Sequence, residues 1–225
     1  MGGPLTVTAR DVLFAHWPVD PDAVAAAVPD PLAVATRDGE AWVTAVVLEM
    51  TGVELGPVRS PTRPFAQINF RTYVRHRGDL GVYFLSLDAG DALAARAGRE
   101  VWSLPFHAAD GEVRHREDTV LVRSRRRADG ARFDARYTPV GEPSPAEPGS
   151  LADFLIERHR YYVETGDGVA AGEIERDPWQ LSAVDAEIRT NALFETAGLD
   201  APETDPSFHY SPRFESSTGR PGTVE

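Results

Sequence analysis

Residues 65–75, FAQINFRTYVR, alternate between polar and mostly apolar side chains. Because successive side chains of a strand point to opposite faces, one face of this segment carries two amides, a guanidinium and a phenol. These four residues are Gln67, Asn69, Arg71 and Tyr73. A guanidinium holds a carboxylate through two hydrogen bonds, and an amide or phenol donates to a carbonyl oxygen. The pattern predicts a cavity for a small organic acid or carbonyl compound; the alternative is the solvated face of a half-buried strand.

A second group of candidates lies in the segment GREVWSLPFH, residues 98–107. Imidazole titrates near neutral pH, so His107 is a candidate general acid or base; the alternative is a histidine with structural hydrogen bonds only. Trp102 and Phe106 are candidate apolar walls of the cavity, and the alternative for both is ordinary core packing. Because the chain contains no zinc-binding, dinucleotide-binding or P-loop motif, we predict no metal and no cofactor.

The elements that must position these residues are mainly strands. Residues 5–19 predict a first strand, and the pair Asp38-Gly39 predicts the turn of a hairpin. One mainly β (α+β) domain is expected over residues 1–216, because no long linker divides the chain. The remaining residues, 217–225, are rich in small and polar side chains and are expected to form a disordered tail.

Two of the helices expected among these strands have residues that mark their ends. Asp91 and Gly98 have the residue types of a helix start and a helix end, so they predict a short helix between them. Ser150 is a suitable N-terminal cap, and the apolar spacing that follows predicts an amphipathic helix over residues 150–165.

Charge and composition exclude several classes of protein. The formal net charge is -12, with 35 acidic against 23 basic residues, which argues against nucleic acid as a partner. The segment RSRRR, residues 123–127, is interpreted as the exposed end of a hairpin rather than as a phosphate-binding patch. Without cysteine there is no disulfide and no thiolate ligand. The chain shows no signal peptide and no long apolar run, so we expect a cytoplasmic protein without a membrane partner.

The chain contains no lysine, and all 23 of its basic residues are arginine. An acidic, lysine-free composition suggests a halophilic protein, because concentrated salt screens the repulsion between surface carboxylates. The alternative is a GC-rich genome that favours arginine codons. If the protein is halophilic, its free energy of unfolding will increase between low and molar KCl in denaturant titrations. Equal stability at both salt concentrations would contradict the halophilic interpretation.

Several motifs resemble a known family. The segments VLFAHWPV, NFRTYV, GVYFLSLDA, LPF and ERHRYY occur in the order seen in the YqjF-like family of uncharacterised proteins (domain of unknown function 2071). The resemblance covers roughly residues 12–211 and places the chain in the acetoacetate decarboxylase-like superfamily. It implies a cone-shaped, mostly antiparallel β-barrel with a few peripheral helices and an internal pocket. Because the decarboxylases assemble, the resemblance also implies a homo-oligomer.

The resemblance gives the segment 98–107 a context. Acetoacetate decarboxylases carry a similar segment, G-R-E-x-x-G-x-P-K-K, in which the first lysine forms a Schiff base with the keto acid. In this chain Phe106 occupies the position of the Schiff-base lysine, and His107 occupies the position of the second lysine. Gln67 occupies a position that is usually acidic in the YqjF-like family. The chain is therefore not expected to be an acetoacetate decarboxylase.

Two classes of function remain open. The first is a pocket that binds a small organic acid or carbonyl compound, with any enzymatic activity on such a substrate independent of lysine. In that class Arg71 would anchor an acid, Asn69 and Tyr73 would polarise a carbonyl, and His107 would move a proton. The second is a non-catalytic structural or partner-binding protein that kept the barrel.

Overall fold

The computed structural model describes residues 4–59 and 63–224. Its strands are β1 (Leu5–Val19), β2 (Ala33–Val34), β3 (Ala41–Leu55), β4 (Val58–Arg59), β5 (Phe65–His76), β6 (Asp79–Ala89), β7 (Phe106–Arg116), β8 (Thr119–Arg126), β9 (Arg132–Pro145), β10 (Arg160–Thr165), β11 (Gly168–Glu175), β12 (Gln180–Asn191), β13 (Ser207–Thr218) and β14 (Gly222–Thr223). Its helices are α1 (Pro21–Ala25), α2 (Ala92–Trp102), α3 (Leu151–Ile156) and α4 (Leu193–Thr196). No helix among the described residues combines the length and the hydrophobicity that crossing a bilayer requires.

Seven strands close into a ring, in the order β1, β3, β5, β6, β10, β11, β13 and back to β1. Neighbouring strands of the ring are antiparallel except β6 and β10, which are parallel. A short ladder between β11 and β13 closes the ring, with Ile174 opposite Thr218 and Glu175 opposite Ser217. The mainly β, mostly antiparallel architecture predicted from the sequence is confirmed.

Two apolar cores lie on opposite sides of the ring wall. The inner core lies inside the ring and includes Leu48, Phe84, Leu87 and Tyr161. The outer core lies between the ring and the strands β7, β8, β9 and β12, and it includes Ile68, Phe70, Val122 and Phe133. Alternation along each ring strand therefore sends one set of side chains inward and the next set outward.

Helix α2 is longer than the sequence predicts. Asp91 caps its start as expected, and its carboxylate accepts hydrogen bonds from the backbone N–H of Leu93 at 2.8 Å and of Ala94 at 2.9 Å. The helix continues through Gly98 to Trp102, and its C-terminal cap, Ser103, has a positive φ of 55°. Gly98 faces the ring of Phe106, and a Cβ atom at this position would overlap that ring. Gly98 therefore permits a close contact between helix and strand and does not end the helix.

The helix predicted over residues 150–165 is wrong for its second half. Ser150 caps α3 as expected, with its Oγ 3.1 Å from the backbone nitrogen of Asp153, but the helix ends at Ile156. The following segment is strand β10, where Tyr161 packs in the inner core and Tyr162 packs on the other side. A run of aromatic and β-branched residues that is buried on both faces favours a strand over a helix.

Residues 217–224 include two strand segments, which corrects the expectation of a disordered tail for these residues. Residues 217 and 218 belong to β13, and β14 pairs with β11 at Ala170 and Ala171. The indole of Trp102 donates a hydrogen bond of 3.1 Å to the backbone oxygen of Gly219. These contacts stabilise a segment whose polar composition alone predicts disorder. Glu225 lies outside the described residues.

The turn expected at Asp38-Gly39 is present, and both residues have positive φ angles, 55° and 88°. The hairpin itself differs from the prediction, because β2 pairs with β5 rather than with β3. A single bridge between Arg37 and Glu40 joins the two sides of the turn.

A candidate ligand-binding cavity inside the ring

A cavity of about 180 Å³ lies inside the ring of strands, next to α2. An apolar cavity of about 150 Å³ in another protein holds a benzene molecule, so this one has room for a slightly larger ligand. Its apolar lining comes from the inner faces of the ring strands, from α2 and from the start of β7. The main apolar contributors are Leu48, Met50, Phe84, Leu87, Trp102 and Phe106.

Four of the seven site residues expected from the sequence line this cavity. They are Gln67, Asn69, Trp102 and Phe106. The sequence interpretation missed Phe84, Leu87 and Tyr161, which also line it. Their positions on β6 and β10 follow from the strand alternation, but which strands close the ring is a tertiary property.

Two amides form the polar part of the cavity on β5. The Nε2 of Gln67 donates a hydrogen bond of 2.9 Å to the Oδ1 of Asn69, and both side chains are half-buried. Tyr161 also lines the cavity, and burial raises the pKa of its hydroxyl. Among the described residues, no Asp, Glu, His or Arg lines the cavity. The site is therefore uncharged at neutral pH.

Arg71 and Tyr73 lie on the cavity-facing side of β5, but they do not line the cavity. Arg71 donates to the backbone oxygen of Leu155 at 3.0 Å, and the Tyr73 hydroxyl donates to the same oxygen at 2.8 Å. Leu155 lies near the end of α3, whose last carbonyl groups have no partner within the helix. The guanidinium and the phenol thus bind the end of α3, and neither residue lines the cavity.

Two further arginines donate hydrogen bonds to carbonyl groups at the same end of α3. Arg158 donates to the backbone oxygen of Asp153 at 2.9 Å, and Arg176 donates to that of Ile156 at 3.1 Å. Arg176 also forms an ion pair of 2.8 Å with Glu157. Burial lowers the pKa of both guanidinium groups. The end of α3 is held by cations, which suits the negative end of the helix dipole.

The Tyr73 hydroxyl has a testable structural role. Tyr73→Phe will lower the free energy of unfolding by about 1–2 kcal/mol, because the variant loses the buried bonds to Leu155 and to Thr44. Urea unfolding will measure the change. Tyr83→Phe is the matched control, because the Tyr83 hydroxyl makes no hydrogen bond within the described part of the chain. Equal stability of the Tyr73→Phe variant and wild type would contradict this role.

His107 also lies outside the cavity lining. It follows Phe106 on β7, and its side chain points to the opposite side of the strand. Its pKa is lowered, first by burial and then by the nearby cation Arg126, while Asp129 acts in the opposite direction. His107 therefore lies within electrostatic range of Arg126 and Asp129, and it is not part of the cavity lining.

One cluster has the residue types of a metal site. Ligand atoms of Asp11, Glu49 and His115 lie within 4.8 Å of one another. These atoms already have partners in the chain: the Tyr210 hydroxyl donates to Asp11 at 2.7 Å, and Arg10 binds Glu49 through two hydrogen bonds. His115 lies 3.0 Å from Asp11. The geometry is that of a satisfied polar network, and we assign no metal to it.

The sequence of this chain matches a known protein family. Residues 6–215 match the family model DUF2071, described as an uncharacterized conserved protein (COG2071). The chain belongs to the DUF2071 family. The uncharacterized protein YqjF of Bacillus subtilis (strain 168) is 38% identical over 207 residues, which are 91% of this chain and 86% of that protein. The YqjF-like resemblance of the sequence motifs is confirmed.

Solved structures show the fold of this DUF2071 chain. Acetoacetate decarboxylase from Legionella pneumophila aligns with a TM-score of 0.65 and 16% identity, covering 99% of this chain and 87% of the decarboxylase. The enduracididine biosynthesis enzyme MppR, in complex with pyruvate, aligns with a TM-score of 0.62 and 12% identity, covering 96% of this chain and 87% of that enzyme. At these identities the likeness shows an acetoacetate decarboxylase-like fold, as the sequence motifs imply.

Proposed function

We propose that this DUF2071 protein binds a small, uncharged carbonyl compound in the cavity inside the ring, without forming a Schiff base. The observation that carries the proposal is the lining itself, which combines an apolar wall with two amides and has no charged side chain among the described residues. Phe106 lines the cavity where the resemblance expects the Schiff-base lysine, and a phenyl ring cannot form an imine.

The lining favours a carbonyl compound over an organic acid. Transfer of a carboxylate from water to an apolar cavity has a large free-energy cost unless a cation or several donors compensate it. Arg71, the expected anchor, is instead bonded to the backbone oxygen of Leu155. The amide of Asn69 remains as a neutral donor for a carbonyl oxygen. Pyruvate, the ligand of the MppR complex, has both a carbonyl group and a carboxylate, so it is a precedent in this fold for a small ligand but does not distinguish the two classes.

Isothermal titration and thermal shift will test the proposal with acetophenone and with benzoate at about pH 7.5, where benzoate is ionised. We expect acetophenone to raise the melting temperature in a concentration-dependent way and benzoate to leave it unchanged. Stabilisation by benzoate alone would support an organic-acid pocket instead. No response to either compound, from folded protein, would favour the non-catalytic partner-binding alternative.

A variant that fills the cavity provides an independent test. Gly98→Ala will weaken acetophenone binding by at least about tenfold, because the new methyl group displaces the Phe106 ring towards the space that the ligand needs. Titration calorimetry will give the ratio of dissociation constants. Gly166→Ala is the matched control, since its Cβ would meet nothing within 4 Å. Unchanged affinity in the Gly98→Ala variant would contradict binding at this cavity.

A further inference from the structure

The hydrogen bond between the two amides of β5 indicates which polar group the ligand has. We infer that the cavity recognises a carboxamide group, attached to an apolar body of about the size of one aromatic ring. This inference rests on the proposed function, because it names the chemical class of the compound bound in the same cavity.

In the Gln67–Asn69 pair, one nitrogen and one oxygen have no hydrogen-bond partner among the described residues. Each amide has an oxygen that accepts and a nitrogen that donates, and their mutual bond uses the nitrogen of Gln67 and the oxygen of Asn69. No other described residue bonds to either side chain, so Asn69 Nδ2 and Gln67 Oε1 remain without a partner. If both amides were turned over, the roles would exchange, and one nitrogen and one oxygen would still have no partner.

The other polar groups of the lining contribute less to the choice of ligand. The Thr218 hydroxyl donates to the backbone oxygen of Glu173 at 2.7 Å, and the Tyr161 hydroxyl lies 3.5 Å from that of Gly219. Ser216 has a hydroxyl that rotates to donate or to accept, so it does not discriminate between ligands. The choice between hydrogen-bonding groups therefore depends on the amide pair of β5.

A primary carboxamide matches this pair at both positions. Its oxygen accepts from Asn69 Nδ2, and its N–H donates to Gln67 Oε1. A ketone satisfies only the donor and leaves Gln67 Oε1 desolvated without a partner, which weakens binding. A carboxylate has acceptors only, so it would face the Gln67 oxygen with like partial charge and would also lose its hydration.

The rest of the cavity fits an apolar ring. Its volume of about 180 Å³ slightly exceeds that of a cavity that holds benzene, which leaves space for one further small group. Phe106 and Trp102 border this space and offer aromatic surface to the ligand. Benzamide therefore has the size and the polar group that the cavity requires, and it is the probe of choice.

Calorimetric titration of wild type with benzamide, N,N-dimethylbenzamide and acetophenone will test the inference. We expect benzamide to bind at least about tenfold more tightly than the other two, because only benzamide has an N–H for Gln67. Gln67→Met will remove this preference, so that the affinities of the variant for benzamide and acetophenone differ by less than about threefold. Gln180→Met, which replaces an exposed amide, is the matched control and will keep the preference.

The outcomes separate the inference from the proposed function. Equal affinities of wild type for benzamide and acetophenone would overturn the carboxamide inference and leave carbonyl binding intact. Retention of the benzamide preference in Gln67→Met would overturn it as well. Absence of binding for all three compounds would overturn the proposed function itself. The comparison of benzamide with its dimethyl derivative needs only wild type, so a folding defect of the variant does not affect it.

Discussion

Arg126→Ala will lower the free energy of unfolding by about 3–5 kcal/mol, because it leaves a buried carboxylate without its counter-ion. The Nε of Arg126 donates to Asp88 at 2.8 Å, and the two side chains are only 3% and 2% exposed. A second bond, of 3.0 Å, joins the same guanidinium to Ser86. Burial already raises the pKa of Asp88, although Arg126 acts in the opposite direction.

The size of the loss will depend on pH. Without Arg126, the pKa of Asp88 in the folded state increases further, so the folded protein retains a proton that the unfolded chain releases. Stability then decreases as pH rises above the unfolded value for aspartate, and the variant will be least impaired in acid. Urea titrations at several pH values will show this dependence.

Arg127→Ala is the matched control for this prediction. Arg127 is the next residue along the chain, and it forms an exposed pair of 2.9 Å with Asp110. We expect a change within about 1 kcal/mol, since exposed ion pairs contribute little. Equal losses of unfolding free energy in the two variants would show that the buried ion pair stabilises the fold no more than the exposed one. The interpretation of RSRRR as an exposed hairpin end is thus wrong for Arg126, the buried arginine of the segment.

Acid will destabilise the protein through His16. This imidazole is fully buried, and its pKa lies well below the ordinary value, first because of burial and then because of His209 and Arg71. Below about pH 6.5 the unfolded chain takes up a proton that the folded protein excludes, so stability falls as pH falls. The expected slope is about 1.4 kcal/mol per pH unit, continuing down to the pKa of the folded state.

Substitution of this histidine will separate its contribution. His16→Asn keeps a hydrogen-bonding group near Thr44, whose Oγ1 lies 2.8 Å from the imidazole, but it has no proton to gain in this range. Its stability will fall less steeply between about pH 6.5 and 5 than that of wild type. The lowered pKa of His209 leaves part of the slope in the variant. His159→Asn, which replaces an exposed imidazole, is the control, and identical slopes in wild type and His16→Asn would contradict the prediction.

The sequence predicted the local features that depend on neighbouring residues. The alternation along residues 65–75, the cap at Asp91 and the family motifs all depend on side-chain types a few positions apart. The structure has the strand β5, the capped helix α2 and the acetoacetate decarboxylase-like fold that these features indicate.

The candidate site could be predicted only in part, because a strand face is not the same as a cavity. Gln67 and Asn69 face the open space, whereas α3 covers the same face at Arg71 and Tyr73. No pattern along β5 indicates where a helix from residues 151–156 will pack. The exposed or buried state of Arg126 depends in the same way on Asp88, a residue 38 positions away.

The closure of the ring has a consequence for biosynthesis. The first long strand, β1, pairs with β13, the last long strand, and β13 also completes the ring against β11. On the ribosome, the six other strands of the ring are therefore synthesised before β13. Until β13 is available, the ring cannot close around their inner apolar faces. Contacts between such distant segments slow folding and leave hydrophobic surface open to aggregation in the meantime. Efficient expression will thus depend on protecting the nascent chain until its last strand emerges.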